Sequence, residues 1–183
     1  MRGLSVTATK DEREHMELIG DDGFDAFYRR HRSRLIALAY AVSGSRLGAE
    51  DLAHDALEAA YRDWDRIRGL DNPTAWVQRI VTNRAVSAYR RRASELKTLV
   101  RLRGERHTVA FPEVHPETEW LWAEVRRLPR RQIQVVALTY VEGLSMPEIA
   151  DVLDISKESV NTHLRRARQT LARRIPSIDP EEA

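Results

Sequence analysis

The sequence predicts an all-α protein, with two small helical domains joined by a flexible linker and the second domain a helix-turn-helix. Three observations carry this. Apolar residues recur at three- and four-residue steps along most of the chain, with almost no alternating β pattern. Residues 93–116 break that period with basic residues, Gly104, Pro112 and Pro116. Ser145 to Arg168 reads as a short helix, a tight turn and a longer basic helix, the layout of a DNA reader whose second helix enters the major groove.

Residues 1–20 are polar without a sustained period and are expected to form a mobile arm. The first domain, 21–92, opens on a stripe of Phe24, Phe27, Tyr28, His31, Leu35, Leu38, Ala39 and Val42, which Gly44 should stop. A second helix is expected from about Ala49 to Arg66, with Leu52, Ala56, Ala60 and Trp64 inward. Asp71-Asn72-Pro73 is a restart signal, a capping side chain followed by Pro in the first turn. The helix after it, Thr74 to Arg92, should bury Trp76, Ile80, Val77 and Ala88.

The linker, 93–116, reads as extended toward its prolines. In the second domain, 117–175, Trp120, Leu121 and Val125 make an amphipathic helix that ends near Pro129. Arg130 to Glu142 follows, with Ile133, Val136, Ala137 and Tyr140 inward and Gly143 as its stop. Val160, Leu164, Ala167 and Leu171 then form the core stripe of the last helix, with Ser156 at its N-cap. A short acidic tail, 176–183, completes the organisation.

Composition narrows the function. The chain has 183 residues, of which 32% are charged, yet its formal net charge is only +2. The positive charge is therefore local. Residues 83–106 carry a net +6 and residues 157–174 a net +5, against −3 from Ile175 to Ala183. Two basic blocks on a nearly neutral chain are phosphate-binding candidates rather than a general polycation. The absence of Cys excludes disulfides, thiolate zinc sites and Cys nucleophiles. The apolar runs fall short of a membrane span, and Met1 to Lys10 lacks the apolar core of a signal peptide. A cytoplasmic protein without direct membrane insertion is expected.

In the last helix Lys157, Ser159, Asn161, Thr162 and Arg165 lie near the start and are the expected base readers. Arg pairs bidentately with guanine and Asn with adenine. Arg166, Arg168, Arg173 and Arg174 suit phosphate or solvent. In the first domain Arg79, Asn83, Arg84, Arg90 and Arg91 offer cations and an amide beside Tyr61, Trp64 and Tyr89. Cations interleaved with aromatics suit single-stranded DNA, whose bases stack while its backbone follows a positive groove. For Trp76 a core position is the stronger reading. Upstream, Asp51, His54, Asp55 and Glu58 share one helical face. A metal site is a weak reading of that face. A docking surface for a basic partner, with Leu52 and Leu57 adding apolar contact, is the other.

These blocks resemble, in order, an extracytoplasmic-function (group IV, sigma-70 family) sigma factor of bacterial RNA polymerase. The likeness rests on Phe24 to Tyr28, Ala49 to Leu57, Asn72 to Asn83, Leu128 to Gln132 and the helix-turn-helix, and it spans about Phe24 to Arg174. It departs from the family pattern at His54, Leu57 and Ser87, where Gln, Phe and Asp are common. The resemblance implies no enzymatic activity and no cofactor. It implies that Asp51, Leu52, His54, Asp55, Leu57 and Glu58 dock on the clamp coiled coil of the large polymerase subunit, with the flap as a further contact. Trp76, Arg79, Asn83, Arg84, Arg90 and Arg91, with the loop from about Asp65 to Asn72, would read and open the minus-10 element. Lys157, Ser159, Asn161, Thr162, Arg165, Arg166 and Arg168 would read the minus-35 element as duplex. An anti-sigma factor is a further implied partner.

Two rivals stand against this. A polymerase-independent helix-turn-helix regulator would share the C-terminal half but leaves Asn72 to Arg92 and the acidic helix unexplained. A metal phosphohydrolase built on Asp51, His54 and Asp55 would need a second His/Asp cluster, which the sequence lacks.

Overall fold

Helix α1, Asp22–Ser43, forms where the apolar stripe begins and ends at Gly44. Gly44 takes a left-handed φ of 68°, a conformation a residue without Cβ adopts freely, and its N–H closes on the Tyr40 carbonyl at 2.7 Å. In this computed structural model residues 22–99 and 118–175 are described, with side chains from 23 to 94 and from 118 to 175. The expected arm, most of the linker and the acidic tail lie outside the described residues.

Helices α2 (Arg46–Arg62), α3 (Trp64–Ile67) and α4 (Pro73–Leu99) complete the first half. The second half holds α5 (Glu119–Arg126), α6 (Arg130–Tyr140), α7 (Met146–Leu153) and α8 (Lys157–Arg174). The described residues contain no strand.

The first half packs α2 and α4 against α1. The α2 core is Ala49, Ala53, Ala56, Leu57 and Ala60, so the small residues let α1 approach closely. Leu52, expected inward, is only partly buried, and the expected single helix to Arg66 is broken at Asp63 into α2 and α3. Asn72 starts α4 as expected, its Oδ1 accepting the Ala75 N–H at 2.9 Å. The buried face of α4 is Val77, Gln78, Val81, Thr82, Ala85 and Val86. Trp76, Ile80 and Ala88 sit on its flanks, partly buried. The helix also runs to Leu99, seven residues into the expected linker, because no breaker follows Arg92 until Gly104.

In the second half Trp122 is buried, whereas Trp120, expected inward, is 46% exposed. Tyr140, also expected inward, is 57% exposed and accepts a hydrogen bond from Arg168 Nε at 3.0 Å. A capping box opens α7: the Glu148 carboxylate accepts the Ser145 N–H at 2.8 Å and its hydroxyl at 2.6 Å. These bonds hold the Glu148 carboxyl below its usual range.

Asp154 makes the tight turn, with φ 54°, while the Ile155 N–H reaches back to the Ala150 carbonyl at 3.1 Å. Left-handed backbone costs an ordinary L-residue roughly 1–2 kcal/mol, less for Asp. The exposed Asp154–Arg79 pair at 3.0 Å offsets little of this. Asp154→Gly is therefore expected to stabilise the chain by about 0.5 kcal/mol, read as a higher urea midpoint. A lower midpoint would show that the ion pair outweighs the backbone strain.

The two halves share one apolar core. Every residue of α1 from Leu35 to Ser43 is buried, because α2 and α4 cover one side while α5 and α6 cover the other.

Candidate nucleic-acid interface

Helix α8 is set by its cap and its stripe. Ser156 Oγ accepts the Ser159 N–H at 3.2 Å, and Val160, Leu164 and Ala167 are buried against α6 and α7. At about 100° per residue, Glu158, Thr162, Arg165 and Gln169 form the ridge opposite that stripe. Lys157, Asn161, Arg165, Arg166 and Arg168 are exposed, and Ser159 and Thr162 partly so.

The expected readers thus share the open side of the helix, with two exceptions in direction. Ser159 is engaged at the cap, its hydroxyl 3.1 Å from that of Ser156. Arg168 turns toward Tyr140, whose ring centroid lies 5.9 Å from its guanidinium. Glu158 was not among the expected readers but stands on the outermost ridge. Its own N–H and the Ser156 hydroxyl hold its carboxyl low, so it presents a fixed anion. Burial, with Arg131 and Arg166 nearby, pushes the His163 ring below its usual value. The helix therefore draws its positive charge from Lys and Arg alone at neutral pH.

The candidate strand-binding residues on α4 are less open. Arg90 and Arg91 are exposed. Arg84 lies 3.3 Å from Asp55 on α2, and Arg79 pairs with Asp154 in the turn after α7. Asn83 Oδ1 accepts Arg130 Nη2 at 2.7 Å and Gln134 Nε2 at 2.9 Å, both from α6. Trp76 is partly buried, and the Arg66 guanidinium sits 5.9 Å from its ring centroid. That cation falls within the stretch from about Asp65 to Asn72 expected to act with α4, but the sequence did not single it out. Its signal was the spacing of Trp76 from the α3 end.

An aromatic cluster closes the same edge, with Phe24 5.0 Å from Tyr61 and 5.3 Å from Trp64. The Trp64 N–H is buried without a partner.

On α2, Asp51, His54, Asp55 and Glu58 are exposed on one face. Glu58 is paired with Arg62 at 2.5 Å, which lowers its carboxyl pKa. Leu52 is partly exposed and remains available. Leu57 is 1% exposed and lies in the core, so it supports this face from beneath and offers no contact surface. Among the described residues no group of three or more His, Asp or Glu is placed to hold a metal ion, and no helix is long and apolar enough to cross a membrane.

Fold and surface define a two-domain, helix-turn-helix DNA-binding protein with a second cationic helix. The family description Sigma-70 region 2 matches residues 27–95, and Sigma-70, region 4 matches residues 118–171. The chain belongs to the sigma-70 family, in its extracytoplasmic-function branch. It is accordingly an alternative sigma factor, a transcription initiation factor that directs RNA polymerase to promoters.

Among curated relatives it is 23% identical over 170 residues to the ECF RNA polymerase sigma factor SigW of Bacillus subtilis (strain 168), covering 86% of this chain and 91% of that one. To SigM of Mycobacterium tuberculosis (strain H37Rv) it is 29% identical over 179 residues, covering 90% and 86%. Its fold is similar to that of the sigma factor RpoE in complex with the anti-sigma factor NepR from Bartonella quintana, with TM-score 0.60, 22% identity and coverage of 90% and 96%. It is also similar to CnrH in complex with the cytosolic domain of CnrY, with TM-score 0.61, 25% identity and coverage of 87% and 92%.

Proposed function

We propose that α8 reads a minus-35 element as duplex, while α4 and the loop before it capture and open a minus-10 element. The acidic face of α2 docks on the clamp coiled coil of the large polymerase subunit. The observation that carries this reading is the pairing of two different surfaces on one frame. The open cationic ridge of α8 has the form of a duplex reader. The Arg- and Trp-bearing edge of α4 stands next to an acidic face suited to a protein partner.

Opening strands costs a few kcal/mol per unstacked base. Stacking on Tyr61 or Trp76 and charge contacts from Arg79, Arg84, Arg90 and Arg91 offset that cost. No catalytic residue is required of this chain, since the polymerase performs the chemistry, and the reading places its action in the cytoplasm.

An anti-sigma factor is proposed as a further partner. The RpoE structure holds one, and here an apolar cavity of about 730 Å³ spans both halves, lined by Ala37, Trp122, Val125, Val136 and Leu171.

The test is co-purification with core RNA polymerase, followed by transcription from a pool of genomic fragments. Core binding with new, discrete start sites is the expected result, and it supplies the promoter motif. Tight duplex binding without core binding would favour the polymerase-independent regulator.

A further inference from the structure

We propose that the cavity between the two halves binds a small amphiphile, an alkyl chain ended by a carboxylate. The inference does not depend on an anti-sigma partner, which would compete with such a ligand for the same walls.

The cavity, of about 730 Å³, falls within the range of roughly 300–1,000 Å³ usual for small-molecule sites. Its polarity is graded. The floor is Ala37 of α1, Trp122 and Val125 of α5 and Val136 of α6, none more than 8% exposed. Leu121, Val141 and Leu171 flank it, partly buried. Trp122 is the one aromatic residue among these seven, so the space suits a flexible chain better than a stack of flat rings.

Polar groups gather at the rim, where Arg34, Tyr140 and Arg168 line the cavity and are exposed. Arg168 Nε donates to the Tyr140 hydroxyl at 3.0 Å, and its guanidinium lies 5.9 Å from the centroid of that ring. The phenol oxygen accepts there and keeps its own proton to donate. Among the described residues no carboxylate pairs with Arg168. Arg34 differs. It donates to the Glu142 carbonyl at 3.0 Å and lies 3.9 Å from the Glu142 carboxylate. The rim therefore presents one cation without an anionic partner, not two. That balance matches a singly charged carboxylate, which a guanidinium can grip with two parallel bonds. A phosphate head, carrying closer to two charges at neutral pH, matches it less well.

The walls are fixed by bonds that the ligand does not touch. Arg126, 5% exposed, ties α5 to the end of α1, its Nε donating to the Ala41 carbonyl at 2.9 Å and its Nη1 to Glu119 at 2.8 Å. Gln78 Nε2 donates to Glu142 Oε2 at 2.8 Å and so steadies the residue that holds Arg34. A preformed site loses less of its binding energy to ordering.

The test is calorimetric titration of the full chain with submicellar decanoate and, at the same chain length, neutral decanol. Saturable one-to-one binding of decanoate is expected, with decanol at least tenfold weaker. Arg168→Met weakens decanoate at least tenfold and leaves decanol unchanged. Leu121→Trp fills the cavity from a partly buried position and weakens both at least tenfold. Arg127→Met, at an exposed cation of α5 that does not line the cavity, changes neither. Circular dichroism confirms that the variants keep their helices. Should Leu121→Trp lose them, Leu171→Trp fills the same space from α8 and must have the same effect.

No saturable binding of decanoate, or decanol binding as tight as decanoate, overturns the proposal. So does decanoate binding that survives filling of the cavity in a folded variant, which places it elsewhere. Binding gained only on deletion of residues 176–183 gives the cavity to the chain's own acidic tail and overturns the proposal as well.

Discussion

Asp51→Arg is expected to abolish capture of core RNA polymerase while leaving duplex DNA binding unchanged. Asp51 is exposed on α2 beside His54 and Asp55, and no ion pair involving it occurs among the described residues. Its replacement should therefore alter folding by no more than about 0.5 kcal/mol, the usual range for exposed positions.

The interface effect is much larger. Charge reversal removes an attraction and places a cation against a basic partner, and like-charge juxtaposition costs several kcal/mol. At about 1.4 kcal/mol per tenfold, the expected loss is at least a hundredfold. The neighbouring acids cannot compensate fully, since Asp55 faces Arg84 and Glu58 faces Arg62. A pull-down with purified core enzyme, paired with a duplex shift assay on the same protein, checks this. Retained core binding would remove α2 from the docking role.

What could be read in advance differs between the halves for physical reasons. The helix-turn-helix was legible because its signals are local: Ser145 with Glu148, the stop at Gly143, and Ser156 before a four-three-four apolar stripe. The exposed acidic face of α2 was legible for the same reason, except that a helix period alone could not decide between Leu52 and Leu57. The alanines of α2 decided it, by turning their own side toward α1 and taking Leu57 with them.

Contacts between the halves were not legible. An Arg in an amphipathic helix reads as solvated, and the carbonyls that Arg126 satisfies lie 85 and 86 positions away. The one available signal was the unbroken apolar run from Leu35 to Val42. A helix apolar on every face must be covered on every face, so a stripe on one side understated its partners. Trp120 and Trp122 were exchanged for a related reason: in a short helix, the surface that α1 and α6 present decides which ring goes in. Arg79 and Asn83 read correctly as outward from their own half, and only the second half turns them into an interface.

Arg165→Ala separates recognition from adhesion. Arg165 is exposed, lies opposite the Val160–Leu164–Ala167 core, and has no ion pair among the described residues. Its truncation leaves no buried group unpaired, so the fold is expected to survive. If Arg165 reads a base edge, its loss costs about 1–3 kcal/mol on the preferred minus-35 sequence and relaxes the preference at one base pair. The slope of affinity against salt would stay nearly constant. Arg173→Ala, near the end of α8, makes the contrast. Removing a phosphate-binding cation there weakens binding to all sequences alike and lowers the salt slope by about one. Binding of both variants to a randomised duplex library at two salt concentrations distinguishes the two cases. Uniform weakening by Arg165→Ala with a reduced slope would make Arg165 a phosphate clamp. Base reading would then pass to Asn161, Thr162 and Glu158, the remaining polar side chains nearest the start of the same open face.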